Sequence, residues 1–193
     1  MNYKPLIIVL GEPQSTFTEI IFKSFKSKFI KKYKTPLVFI GSKELIVSQM
    51  KKLRFNVKIN LLNDDLNNYT KLNNLKLNLI DINYKFKKPF ENLSTKSRKY
   101  ISNSFNKSLE ILKKKQAIGL INGPVSKKHF LNKSTPGITE YLQKKTKSIE
   151  SVMVIYNKNI SVTPITTHIP VKKISINLTK KKIVNKIKIL NKF

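Results

Sequence analysis

Three short segments between Ala117 and Pro170 carry the side chains best suited to chemistry. In SVTPITTHIP, His168 follows Thr166 and Thr167 and stands between two prolines. An imidazole on such a loop can ligate a divalent cation or move a proton near neutral pH. In PGITEYL, Thr139 lies just ahead of an apolar-periodic turn, at a helix entrance. In NGPVSKKHF, Lys127 follows a Gly-Pro turn and could reach an anionic group, although in so lysine-rich a chain it reads equally as surface charge. The other histidine, His129, sits in the helix-like SKKHF with no polar constellation around it, and reads as surface or packing. One credible imidazole falls short of the three or more protein ligands that catalytic metal centres use.

These side chains need elements to aim them. Ala117–Ile121 is a short apolar run closed by Asn122-Gly123-Pro124, which predicts a buried strand ending in a turn. Gly123 permits close backbone approach, and Pro124 stops the strand. Ser161–Pro170 predicts a further strand that breaks at Thr166-Thr167-His168. Ligands of open α/β sheets collect outside the carboxyl ends of strands, so Gly123, Thr139 and His168 are expected to line one cleft.

In order and spacing the three segments resemble the 4-hydroxythreonine-4-phosphate dehydrogenase family of vitamin B6 biosynthesis. That family carries a Gly-Pro-x-x-Lys turn, then Gly-x-Thr-Glu, then Thr-Thr-His-x-Pro. Here these stand as Gly123-Pro124-Val125-Ser126-Lys127, Gly137-Ile138-Thr139-Glu140 and Thr166-Thr167-His168-Ile169-Pro170, with Leu10-Gly11-Glu12-Pro13 as a fourth match. The resemblance spans essentially the whole chain but, by length, about the first three-fifths of a typical family member.

The resemblance implies an isocitrate/isopropylmalate dehydrogenase-like α/β/α architecture of two domains, with the active site between them and a homodimer partner contributing residues. It implies NAD-dependent oxidation of the 4-hydroxyl of 4-phosphooxy-threonine, followed by loss of carbon dioxide. A divalent metal (zinc, magnesium or cobalt) would polarise the hydroxyl and the resulting ketone. His168 matches the first of the family's three metal ligands, and Thr139 matches its substrate-binding threonine. Ile138 stands where the family usually has a second substrate contact, a histidine; isoleucine cannot hydrogen-bond. Lys127 matches the lysine of the first motif, near the substrate. No residue is assigned as catalytic, and none to NAD: there is no phosphate-binding glycine fingerprint, so the cofactor is implied by the family alone.

Composition bounds the alternatives. The 193 residues suffice for one domain and part of another, and 40% hydrophobic content excludes wholesale disorder. The absence of cysteine excludes disulfides, thiolate nucleophiles and zinc–thiolate centres. The N-terminal apolar run is too short for a signal peptide, and no stretch approaches the length of a membrane span, so the sequence reads as a soluble cytoplasmic protein. A formal net charge of +29 raises nucleic acid as a partner. Against it, Arg54 and Arg98 are the only arginines, and the lysines are spread along the chain rather than gathered in an arm. A small basic nucleic-acid-binding protein remains the alternative function.

Along the chain, Leu6–Leu10, Pro36–Ile40, Val57–Leu62 and Leu75–Ile82 predict strands. Helices are predicted from Ser15 or Thr16 to Tyr33 on the stripe Phe17, Ile20, Ile21, Phe25 and Phe29, after Ser42, and from Ser94 or Thr95 to Lys115. Val152–Tyr156 and Ile160–Ile165 predict a β-hairpin about Asn157-Lys158-Asn159, and Thr179 caps a last amphipathic helix with Ile183, Ile187 and Leu190 on one face. The βαβ order argues for a parallel or mixed sheet. The expected division is a first α/β domain over 1–130 and the start of a second, incomplete one over 131–193. The resembled family's second half would supply its other metal-binding histidines, its catalytic aspartates and most cofactor contacts. The sequence is therefore expected to be a fragment or a degenerate short homologue, inactive by itself.

Overall fold

The strand candidates Leu6–Leu10, Pro36–Ile40 and Ala117–Ile121 join in one sheet, the first two as short runs of branched or large apolar residues covered on both faces. The computed structural model describes residues 3–63, 66, 72–131 and 135–192, with Lys28 and Phe29 described in their backbone only. Two units emerge, Met1–Asn132 and Lys133–Phe193.

The first unit is built on a parallel sheet of β1 (Leu6–Val9), β2 (Leu37–Gly41), β3 (Ile59–Leu61), β4 (Leu77–Asp81) and β5 (Gly119–Asn122), in the order β3-β4-β2-β1-β5. Register pairs Leu6 with Leu37 on one side and with Gly119 on the other. After β1 the chain turns toward β2, whereas β5 is laid down on β1's other flank. The β1/β5 boundary is thus a point where strand order reverses, which is where open α/β sheets place ligands.

Helices α1 (Phe17–Lys26), α2 (Lys28–Lys32) and α3 (Lys43–Lys52) cover one face. Ile21, Phe22, Phe25, Ile46 and Met50 pack there on Ile8, Phe39, Leu77 and Leu79, the alternate residues of their strands. Helix α4 (Arg98–Lys113) packs on β1 and β2 and buries Tyr100, Ile101, Phe105 and Ile111 outside that cluster. Ser42 caps α3 as expected, its Oγ accepting the Leu45 N–H at 3.4 Å.

Several expected boundaries change. The single helix to Tyr33 breaks at Ser27, whose extended ψ of 140° separates α1 from α2. Thr16 makes no capping bond with its side chain; the Ser15 hydroxyl accepts the Phe17 N–H instead. Ser94 caps a 3₁₀ turn, Thr95–Ser97, which leads into α4. The strand expected over Ala117–Ile121 shifts to Gly119–Asn122 and is not buried. Among the described residues it pairs with β1 alone and lies at the sheet edge, with Ile121 44% exposed.

The second unit contains α5 (Ile138–Thr146), α6 (Ile174–Asn177) and α7 (Lys180–Leu190), the last capped by Thr179, whose Oγ1 accepts the Lys182 N–H. The expected hairpin reduces to one antiparallel bridge between Ile155 and Val162, around an Asn157–Asn159 side-chain turn. The strand expected over Ser161–Pro170 does not form beyond that bridge. Isolated two-strand ribbons are marginal without a third strand or a helix to cover them, and Ile155 and Val162 are both exposed.

Candidate active site

At the carboxyl ends of β1 and β5 two turns interlock. The Gly123 N–H donates to the Val9 carbonyl at 2.7 Å, and the Glu12 N–H donates to the Pro124 carbonyl at 2.7 Å. Gly11 takes a φ of +71°, and a Cβ there would stand 2.3 Å from the Pro124 oxygen. A Cβ on Gly123 would meet the Leu10 oxygen at the same distance. Both glycines of these motifs are therefore sites of close backbone approach. Gln49, fully buried, holds the same turn by donating to the carbonyls of Pro13 at 2.8 Å and Pro89 at 2.9 Å.

Glu12 is the ionisable group that sequence reasoning passed over. Its side chain is 4% exposed. Neither carboxylate oxygen completes a well-formed hydrogen bond, although the Ser97 hydroxyl and the Ser126 N–H face it. Burial raises its pKa above the ordinary glutamate value, outweighing the lowering by Ser97, His129 and Ser126. The available signal was a glutamate between Gly11 and Pro13 immediately after a strand. His129 accordingly has a polar setting that the sequence did not reveal. It lies close enough to Glu12 for its charge to be felt there, its backbone oxygen accepts from Arg98 Nε at 3.1 Å, and its segment is a single turn on Ser126 rather than a helix. Lys127 opens that turn, exposed.

In the second unit the structure brings the second and third motifs together. Gly137 has an extended φ of −150°, which any residue tolerates, so its backbone does not require glycine. A Cβ there would stand 2.7 Å from Glu140 Oε2, the movable end of a flexible side chain, and 3.9 Å from His168 Nε2. Glu140 occupies the third position of α5, Thr139 the second and Ile138 the first. His168 is exposed, and its φ of +58° is uncommon for a residue with a side chain. Such outliers cluster at functional sites. Gly123 and Lys127 belong to the first unit. Thr139 also lines a largely apolar pocket of about 620 Å³ with Leu142, Gln143, Val152 and Leu190.

For a divalent cation the fit is partial but chemically apt. His168 offers an imidazole, and Glu140 Oε2 is buried without a hydrogen-bond partner. Among the described residues no group of three or more His, Cys, Asp or Glu side chains converges. For a nicotinamide cofactor, no turn among the described residues has the glycine-rich form of a phosphate cradle. Among the described residues no helix is long and apolar enough to cross a membrane.

Known proteins match at the level of both sequence and fold. A 4-hydroxythreonine-4-phosphate dehydrogenase of Sulfurihydrogenibium sp. (strain YO3AOP1) is 30% identical over 189 residues, covering 97% of this chain and 56% of that protein. One from Bacteroides thetaiotaomicron is 23% identical, covering 96% of this chain and 50% of its own length. The chain thus spans about half the length of the curated relatives it matches. The structures of a putative 4-hydroxythreonine-4-phosphate dehydrogenase from Salmonella typhimurium and of a 4-hydroxythreonine-4-phosphate dehydrogenase from Klebsiella pneumoniae superpose with TM-scores of 0.81 and 0.82, at 21% and 18% identity. They cover 97% and 98% of this chain and 58% of their own, and they establish the fold. The sequence model of the family described as "Pyridoxal phosphate biosynthetic protein PdxA" matches residues 32–193, and the chain belongs to that family.

Proposed function

We propose that this chain provides part of an NAD-dependent 4-hydroxythreonine-4-phosphate dehydrogenase, acting on 4-phosphooxy-threonine in the cytoplasm as part of a homodimer. The observation that carries the reading is the convergence of the Gly-x-Thr-Glu and Thr-Thr-His segments on Gly137, with Glu140 Oε2 and His168 Nε2 both within 4 Å of where its Cβ would stand. It is supported by the family match and by the curated relatives' names. Under this reading residues 1–130 form a first domain and 131–193 the start of a second, within an isocitrate/isopropylmalate dehydrogenase-like architecture.

Each side chain then has a role. His168 holds a divalent metal, and the Thr139 hydroxyl, in the first turn of α5, hydrogen-bonds the substrate. Lys127 supplies positive charge to an anionic substrate. Ile138 contributes shape without a hydrogen bond, so it narrows substrate binding to the contacts of Thr139. The metal, when bound, supplies Lewis acidity at the reacting hydroxyl. No residue of this chain is assigned to the nicotinamide.

The test is ligand binding by the 193-residue chain, observed by NMR. Zinc should perturb the His168 imidazole and 4-phosphooxy-threonine the Thr139 signals. His168→Ala should abolish the first effect and Thr139→Val weaken the second. A substrate that perturbs neither Thr139 nor its neighbours at millimolar concentration would overturn the reading.

A further inference from the structure

The glutamate of the second motif has a place in the site that its helix does not explain. Glu140 stands at the third position of α5, where a glutamate commonly turns back to cap the helix N-terminus. Its Oε2, however, is buried and makes no hydrogen bond. That oxygen lies beside Gly137, in the space a side chain at 137 would fill, and His168 Nε2 comes within 4 Å of the same point. An acceptor without a donor and a ring nitrogen that can carry a proton thus both border the space left by the missing Cβ, with no hydrogen bond or ion pair between them. His168 itself has a left-handed backbone, with a φ of +58°.

Buried acceptors left unpaired are costly, and imidazoles that bind metals usually give their second N–H to a carboxylate, which fixes the tautomer. We propose that Glu140 is a positioning residue for His168. By a small turn of its side chain the carboxylate comes to accept the imidazole Nε2–H, selects the Nε2-protonated tautomer and leaves the Nδ1 lone pair available to a divalent cation. The pairing deepens the reading of His168 as a metal ligand and rests on it for its purpose. It also accounts for the glycine of Gly-x-Thr-Glu: any larger residue at 137 would push the carboxylate away from the imidazole.

The experiment follows the imidazole nitrogens of the ¹⁵N-labelled 193-residue chain at pH 8 without metal, with His129 as internal reference. The wild type should show His168 as the Nε2–H tautomer. Glu140→Ala and Gly137→Ala should both return it to a mixture, and Glu140→Gln, which keeps a neutral acceptor, should restore part of the preference. In the same samples zinc should bind about 10–100-fold more weakly to the two alanine variants. A merely structural role in starting α5 would reduce amide protection in the helix and leave the tautomer unchanged. Unchanged tautomer populations across the variants, or a wild type in the Nδ1–H form, overturn the proposal. A wild type in which zinc leaves His168 untouched, while Glu140 still fixes its tautomer, sinks the metal assignment and leaves the pairing standing.

Discussion

The Glu12 N–H donates to the Pro124 carbonyl at 2.7 Å, which ties the turn after β1 to the turn after β5. Two motifs more than a hundred residues apart in sequence thereby form one structure at the strand ends. The join depends on two glycines, and their substitution should show it. Gly11→Ala places a side chain at φ +71° and against the Pro124 oxygen, and should cost at least about 1–2 kcal/mol from backbone conformation alone. Gly123→Ala meets the Leu10 oxygen and the Phe17 ring, and should cost about 1–3 kcal/mol as overpacking. Gly119→Ala, whose Cβ would lie 3.5 Å from Leu6 Cδ1, should stay within about 0.5 kcal/mol. Urea midpoints at constant slope measure all three.

Stability should fall as pH rises through the titration of Glu12. Its pKa is raised in the folded state by burial, so the folded protein holds a proton that the unfolded chain has released. The stabilising contribution is full below the ordinary glutamate value of 4.5 and is lost as pH rises through the higher folded value. The groups facing the carboxyl are Ser97, Ser126 and His129, with Tyr84 and Tyr100 close enough to feel its charge. Glu12→Gln should flatten this part of the profile and melt at a higher temperature than wild type at pH 8, with the gap closing toward pH 4. An unchanged slope in the variant would show that Glu12 ionises freely.

The open edge of β5 should govern association. Ile118 and Ile121 are exposed beside it, as is Ile20 on α1. Exposed apolar edge strands pair with other chains. Ile121→Lys should leave folding within about 0.5 kcal/mol, as surface substitutions do, and should lower the light scattering of concentrated samples. Scattering that is equal in both proteins would exclude this edge as the site of association.

Turnover by the 193-residue polypeptide is expected to be absent. The sequence has two histidines, and one of them, His129, faces Glu12 in the first unit. A metal centre competent for alcohol oxidation needs more protein ligands than His168 provides. Reduction of NAD with 4-phosphooxy-threonine and added metal, lost in His168→Ala, would contradict this.

Local pattern was enough to place β1, β2 and α3, because apolar runs between turn residues and a serine ahead of a helical stripe are physics of neighbouring residues. The Ser42 cap and the Thr179 cap were legible for the same reason. The segments around Thr139 and His168 were legible as motifs, and their family is confirmed. What the sequence could not decide depended on distant partners. Whether Ala117–Ile121 lay inside or at an edge was set by how many strands flank it, and only β1 does. The hairpin about Asn157 had the right residues, but it forms one bridge because its branched side chains have little to pack on. Gly137 was legible only as a motif residue, and only the fold places Glu140 Oε2 and His168 Nε2 near the point where its Cβ would stand. Glu12 was legible only as part of the Gly11-Glu12-Pro13 motif, and its burial near Ser97, Ser126 and His129 came with the fold. Burial and desolvation belong to the tertiary structure, so the chemistry of that carboxyl could be decided only there.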